Sequence, residues 1–149
     1  MKVYRSVAPG PTALKLILHV ALAADEAGEN ELRDRSIERA STQPKTVVKV
    51  NALCKLANLL RAVVSTPGKE LDLAAVDKVI QGEEPAARGA LNEVTGRFLL
   101  LHGDKQKAQA YLKAAIQSST MSQTEFNLAW GALKNLGADP RKLREVVRD

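Results

Sequence analysis

The sequence contains few aromatic residues and a single cysteine, Cys54. Phenylalanine, tyrosine and tryptophan together make up 3% of the 149 residues. One cysteine excludes an internal disulfide, and the apolar neighbours Leu53 and Ala57 predict that Cys54 is a small buried hydrophobe. With so few rings, the core has to be built from leucine, valine, isoleucine and alanine, and alanine allows helix axes to approach closely. Both shortages favour packed helices in a reducing, cytoplasmic location over a disulfide scaffold.

Long apolar runs are also missing. Lys15 and His19 interrupt the stretch 13–24, which is too short and too polar to span a membrane, and no small-residue cleavage pattern marks a signal peptide. We therefore expect no membrane association. The length suits one domain with a substantial core, so we expect a single domain over residues 1–149. Prolines and glycine at 9–11 interrupt the chain before the first apolar series, and residues 1–11 are predicted to be an N-terminal leader.

Residue patterns typical of catalysis are absent as well. The two histidines, His19 and His102, have no cysteine, aspartate or glutamate at the spacing of a zinc or iron site, and we interpret both as structural. Asp25 and Glu26 are adjacent carboxylates that do not face each other on a helix, so they are predicted to be caps or solvated charge. No glycine-rich phosphate loop follows a strand. The sequence predicts a protein that is not an enzyme and that has no metal or other cofactor.

The net charge is positive and unevenly distributed. The chain carries a formal charge of +5 and has a pI near 9.5, which permits attraction to acidic peptides, nucleic acid or anionic lipid without choosing among them. No acidic residue lies between Glu38 and Glu70. Basic residues fall in that segment instead, among them Lys45, Lys49, Lys55 and Arg61.

Glycines at turn positions divide the chain into units of similar length. Gly28, Gly68, Gly103 and Gly137 are separated by 40, 35 and 34 residues, and a recurrence of this size is typical of stacked helical repeats. Apolar residues recur at three- and four-residue steps over about 14–28, 30–41, 45–64, 72–80, 85–103, 104–116, 122–137 and from 140 onward. No segment shows strand-like alternation. We therefore predict an all-α fold of about eight helices, paired as antiparallel hairpins.

Several local patterns predict where these helices begin and end. Asp104 is a good N-cap for the sixth helix. Ser122 and Glu125 form a capping box at the start of the seventh. Gly103 is expected to end the fifth helix with positive φ. The charged residues of the second helix, Arg33 among them, are predicted to form a solvated outer face.

Residues 89–122 resemble a tetratricopeptide repeat. The matching positions are Gly96, the Gly103-Asp104 turn, Ala108, Leu112 and Ala115. The pattern departs at Asn92 and Thr120, where the family favours tryptophan and proline. The neighbouring units match less well, and about half the chain carries the resemblance. It implies that the hairpins stack as a short right-handed α-solenoid with a concave groove, an architecture that presents an extended face to a protein partner.

One polar line stands out on the third helix. Asn51, Lys55 and Asn58 are spaced by four and three residues and share one helix face. The repeat resemblance implies that Lys55 and Asn58 face the groove. By the same resemblance, equivalent rows in the other units contain Lys15, Arg97, Asn127 and Lys134. Proteins of the family that this chain resembles hold peptide carboxylates with such side chains. The alternative interpretation is an ordinary solvated surface.

Two functions remain open at this stage. The first is a non-enzymatic scaffold or adaptor that binds an acidic or carboxylate-bearing protein segment in its groove. The second is a basic helical module that binds nucleic acid through phosphate contacts, using Lys45, Lys49, Lys55 and Arg61 together with the basic residues after 140. The shortage of aromatic residues for base stacking, and the absence of a helix-turn-helix or zinc signature, favour the first.

Overall fold

The computed structural model describes residues 11–42, 51–83, 85–117 and 123–135. Seven helices and no strand lie in these ranges, so the all-α prediction is confirmed for them. The helices are α1 (Pro11–Glu26), α2 (Asn30–Ser41), α3 (Ala52–Ser65), α4 (Leu73–Gln81), α5 (Pro85–His102), α6 (Lys105–Gln117) and α7 (Gln123–Asn135). The predicted eighth helix, the capping-box residue Ser122 and residues 1–10 of the predicted leader lie outside the described residues.

Short polar side chains begin three of these helices. Asp104 Oδ1 accepts a hydrogen bond from the backbone N–H of Gln106 at 2.8 Å, which confirms this residue as the N-cap of α6. Asp72 does the same for α4, since its Oδ1 accepts from the N–H of Ala75 at 3.1 Å. A glycine follows the C-terminal end of α1. Gly28 has φ of +79°, a conformation that glycine adopts at little cost.

The start of α3 differs from the prediction. The sequence pattern predicted a helix from about residue 45, but Asn51 has extended ψ of 141° and α3 begins at Ala52. The Asn51 Oδ1 accepts a hydrogen bond from the N–H of Leu53 at 2.8 Å, so the side chain satisfies a donor at the helix N-terminus. Residues 43–50 lie outside the described residues. The predicted start was too early because the apolar periodicity gives no sign that an asparagine caps the helix at position 51.

Gly103 also differs from the prediction, since its φ is not positive. Its N–H donates to the carbonyl oxygen of Leu99 at 2.8 Å, which continues the hydrogen-bond pattern of α5. The chain then turns at Asp104, whose side chain caps the next helix. Two successive residues thus complete the turn without a left-handed conformation.

The helices do not follow a strictly sequential order in space. α1 pairs with α2 and α5 pairs with α6, while α3 packs mainly against α2, and α7 packs against α6 and α5. α1 also packs directly against α5. His19 contacts Glu93 and Asp25 contacts His102, so α1 and α5 run in the same direction. The pair formed by α1 and α2 therefore contacts α5 directly, without α3 and α4 in between.

The main core is aliphatic and extends from α1 to α6. Its largest fully buried side chain is Phe98, and the other fully buried members include Leu14, Leu18, Ile37, Leu56, Leu60, Leu91 and Val94. A smaller apolar cluster joins α6 to α7 through Leu112, Ala115, Ile116, Ala129 and Leu133. Leu100 of α5 packs against both clusters, which fixes α5 between α1 and α7.

Candidate functional site

A cleft of about 340 Å³ lies between α5 and α7 and is bordered by the end of α1. This volume is at the lower end of the range of roughly 300–1,000 Å³ that is usual for ligand sites. The apolar part of its lining is Leu100, Leu101, Leu128, Gly131 and Ala132. The polar part is Glu26, Arg97 and Asn127. A cleft with an apolar surface and a few charged groups has the composition of a binding site.

Both α5 and α7 contribute polar and apolar side chains to the cleft, and helical spacing explains why. Arg97, Leu100 and Leu101 are three and four residues apart on α5, so they share one face. Leu101 is one of the exposed large apolar residues, with 39% of its surface accessible. On α7, Asn127 and Gly131 line the cleft one turn apart, and the exposed Lys134 follows three residues later on the same face.

A buried carboxylate holds Arg97 in position beside the cleft. The side chain of Glu93 is fully buried, and its Oε1 accepts a hydrogen bond from Arg97 Nη1 at 3.2 Å. Its Oε2 lies 3.0 Å from His19 Nε2 of α1. Both oxygens therefore have a partner, as a buried charge requires. The anchored Arg97 side chain is not completely buried, since 13% of its surface is exposed.

Glu93 was not among the predicted site residues. Its four-residue spacing from Arg97 is the sequence signal that could have identified the pair. The contact with His19 could not have been found in this way, because 74 residues separate the two positions.

A second cluster of hydrogen-bonded polar side chains, partly buried, joins α1, α2 and α5. Asp25 Oδ1 accepts a hydrogen bond from Arg33 Nη1 at 2.9 Å, and Asp25 Oδ2 is hydrogen-bonded to His102 Nε2. Only 6% of the Asp25 side chain and 11% of the Arg33 side chain are exposed. The predictions of solvated charge at Asp25 and Arg33 were therefore wrong. Burial alone would lower the pKa of Arg33, but hydrogen bonds to Asp34 and Asp25 raise it.

The polar line on α3 lies apart from this cleft. Asn51 caps its own helix. Asn58 Nδ2 donates to the backbone carbonyls of Ser41 at 3.1 Å and Cys54 at 3.0 Å, which ties α3 to the end of α2. Lys55 is exposed, and neither it nor the half-buried Lys15 lines the cleft. Of the seven predicted positions, Arg97 and Asn127 line the cleft. Lys134 lies on α7 one turn beyond Gly131.

Cys54 is a free, buried thiol, as expected. Its Sγ lies 3.3 Å from the carbonyl oxygen of Ser41, and burial raises the pKa of the thiol. Within the four described ranges, no group of three or more histidine, cysteine, aspartate or glutamate side chains is arranged to hold a metal ion. The helices of those ranges are also all too short or too polar to cross a lipid bilayer.

Comparison of the chain with protein-family models, with curated protein sequences and with solved structures finds no match. The assignment of a function therefore depends on the geometry of the cleft.

Proposed function

We propose that this chain is a non-enzymatic helical interaction module that binds a carboxylate-bearing segment of another protein in the cleft between α5 and α7. The observation that carries the proposal is the cleft itself, which Arg97 of α5 and Asn127 of α7 line together with apolar side chains. A guanidinium presents five N–H donors in a planar fork that matches a carboxylate. The bond to Glu93 engages one nitrogen, Nη1, and limits the freedom of the side chain before a ligand binds.

Charge on the other walls supports one orientation of the bound segment. Glu26 borders the cleft on the α1 side and disfavours a second carboxylate there. Lys134 lies at the continuation of the α7 wall and adds positive charge. A segment whose carboxylate faces Arg97, with neutral or basic residues toward α1, is therefore the best electrostatic complement.

The proposal includes a tetratricopeptide-like arrangement in which α1, α5 and α7 are the first helices of successive units. The direct packing of α1 on α5, and of α5 on α7, supports this order. In it, α3 and α4 are an insertion that packs beside the stack, and the cleft is part of its concave face. A cytoplasmic location also belongs to the proposal, since a single free thiol is typical of reducing compartments.

Selection from a displayed library of random twelve-residue peptides tests this function. We expect peptides selected on the wild-type protein to be enriched in aspartate and glutamate. Their affinity should fall at least tenfold in Arg97→Gln, because a charge-assisted hydrogen bond contributes about 1.5–3 kcal/mol. Glutamine keeps an amide donor that can reach Glu93, so the fold is retained while the charge is lost.

Lys55→Gln is the matched control, because it removes an exposed positive charge outside the cleft. Its affinity for the same peptides should stay within twofold of wild type. Selected peptides without acidic enrichment, or with equal affinity for wild type and Arg97→Gln, would contradict the proposal.

A further inference from the structure

Gly96 and Gly131 both lie in the interior of a helix, but their surroundings differ. A Cβ atom at Gly96 would lie 2.6 Å from Leu112 Cγ and 3.2 Å from the carbonyl oxygen of Ala108, so close packing of α5 on α6 requires glycine there. A Cβ atom at Gly131 would have no atom of another described helix within 4 Å. Packing within this part of the chain therefore does not explain glycine at 131.

Glycine is unfavourable in a helix interior because it loses more backbone entropy on folding than alanine does. At position 131 the missing side chain leaves space among the described residues, and Gly131 lines the cleft. A residue that breaks a local rule without a gain in packing is expected at a functional site. The gain at Gly131 is thus expected to come from what occupies the cleft.

We infer that Gly131 determines the specificity of the cleft by admitting a large apolar side chain of the bound segment against the bare backbone of α7. Leu128 and Ala132 adjoin this position on α7, and Leu100 and Leu101 face it from α5. The volume of about 340 Å³ suits an anchoring side chain and its immediate neighbours better than a long stretch of chain. The inference rests on the proposed function and names the partner more closely.

The spacing on α5 determines which peptide fits. Arg97 precedes Leu101 by four residues, which is about 6 Å along the helix axis. In an extended segment, residues two apart point to the same side and are separated by about 6.6 Å. The matching ligand is therefore an extended segment with aspartate or glutamate two positions from leucine, methionine or phenylalanine.

The test uses the peptides selected on the wild-type protein, measured by fluorescence polarisation. We expect an acidic residue and a large apolar residue to recur two positions apart. Affinity should fall at least tenfold in Gly131→Leu and by a smaller factor in Gly131→Ala, because each added side chain fills part of the cleft. Ala110→Leu is the control, since Ala110 is exposed on α6 and does not line the cleft, and its affinity should be unchanged.

Helical circular dichroism and the melting temperature show that each variant is folded. Peptides that depend on Arg97 but bind Gly131→Leu as tightly as wild type would overturn this inference and leave the proposed function standing. Peptides that depend on neither position would overturn both. Loss of affinity in Ala110→Leu equal to that in Gly131→Leu would also contradict the inference, because the effect would not be specific to the cleft.

Discussion

Glycine has different roles at Gly28, Gly96 and Gly131. Gly28 allows a left-handed turn after α1, Gly96 allows close helix contact, and Gly131 leaves the cleft open. The sequence predicted from its glycine spacing that Gly28 lies at a turn, but it assigned the positive φ to Gly103 instead. The sequence did not separate Gly131 from the other glycines. The space beside a residue depends on the neighbouring helix, and no sequence pattern reports it.

We expect alanine at these two helix-interior positions to change stability in opposite directions. Gly96→Ala should lower the free energy of unfolding by about 1–3 kcal/mol, because its Cβ would overlap Leu112. Gly131→Ala should raise it by about 0.5–1 kcal/mol, because alanine favours the helix and its Cβ would meet no atom of another described helix within 4 Å. Urea unfolding followed by circular dichroism measures both. A loss of stability in Gly131→Ala would contradict the open site at that position.

Tyr111 also has a distinct environment, because its phenol is partly buried and hydrogen-bonded. Its hydroxyl donates to Asp77 Oδ1 at 2.6 Å, and burial, then this hydrogen bond and the charge of Asp77, raise its pKa. An unfolded tyrosine ionises near pH 10. Because the folded pKa lies above that value, the stabilisation is complete below about pH 10 and is lost as pH rises toward the folded pKa.

Ultraviolet titration at 295 nm in a Tyr4→Phe background follows Tyr111 alone. We expect its ionisation to begin well above pH 10 in the folded protein and near pH 10 in denaturant. Asp77→Asn should lower the folded midpoint, since it removes the negative charge. An unchanged midpoint in Asp77→Asn, or a wild-type midpoint near 10 without denaturant, would show that the contact does not form.

At the scale of the helices, buried charges connect α1 to α5. Asp25 bonds to Arg33 of α2 and to His102 of α5, and Glu93 bonds to His19 of α1. The start of α6 followed from a local signal, the capping residue Asp104. These interhelix pairs could not be predicted, because the partners on α1 and α5 are 74 and 77 residues apart. The same separation explains why Asp25 was taken for solvated charge.

Asp25 and Glu26 are neighbouring carboxylates on α1, and replacing each in turn tests whether side-chain contacts join α1 to α5. Asp25→Ala should lower the free energy of unfolding by at least about 1.5 kcal/mol, because it leaves His102 without its carboxylate partner and leaves Arg33 with the carboxylate of Asp34 alone. Glu26→Ala is the control: Glu26 is exposed, and its removal should change stability by less than about 0.5 kcal/mol. Thermal and urea unfolding measure both variants. Equal effects would mean that the buried cluster does not join the helices.

At the scale of the whole molecule, the sequence predicted an all-helical fold and two of the residues that line the cleft. Its groove candidates include Arg97 and Asn127, which line the cleft, and with equal weight Asn51 and Asn58, whose side chains bond to backbone groups at the ends of α2 and α3. An exposed polar residue and a capping residue have the same spacing along a helix. Only the positions of the neighbouring helices separate them.

The central claim is that a carboxylate-bearing segment binds between α5 and α7. A ¹⁵N–¹H NMR titration of the uniformly labelled wild-type protein with the tightest selected peptide tests it most directly, because every backbone amide reports independently. We expect saturable shifts concentrated at 97–101 and 127–132, with small changes at 51–58. Largest shifts on α3 around Lys55, or the absence of any saturable shift, would contradict the account.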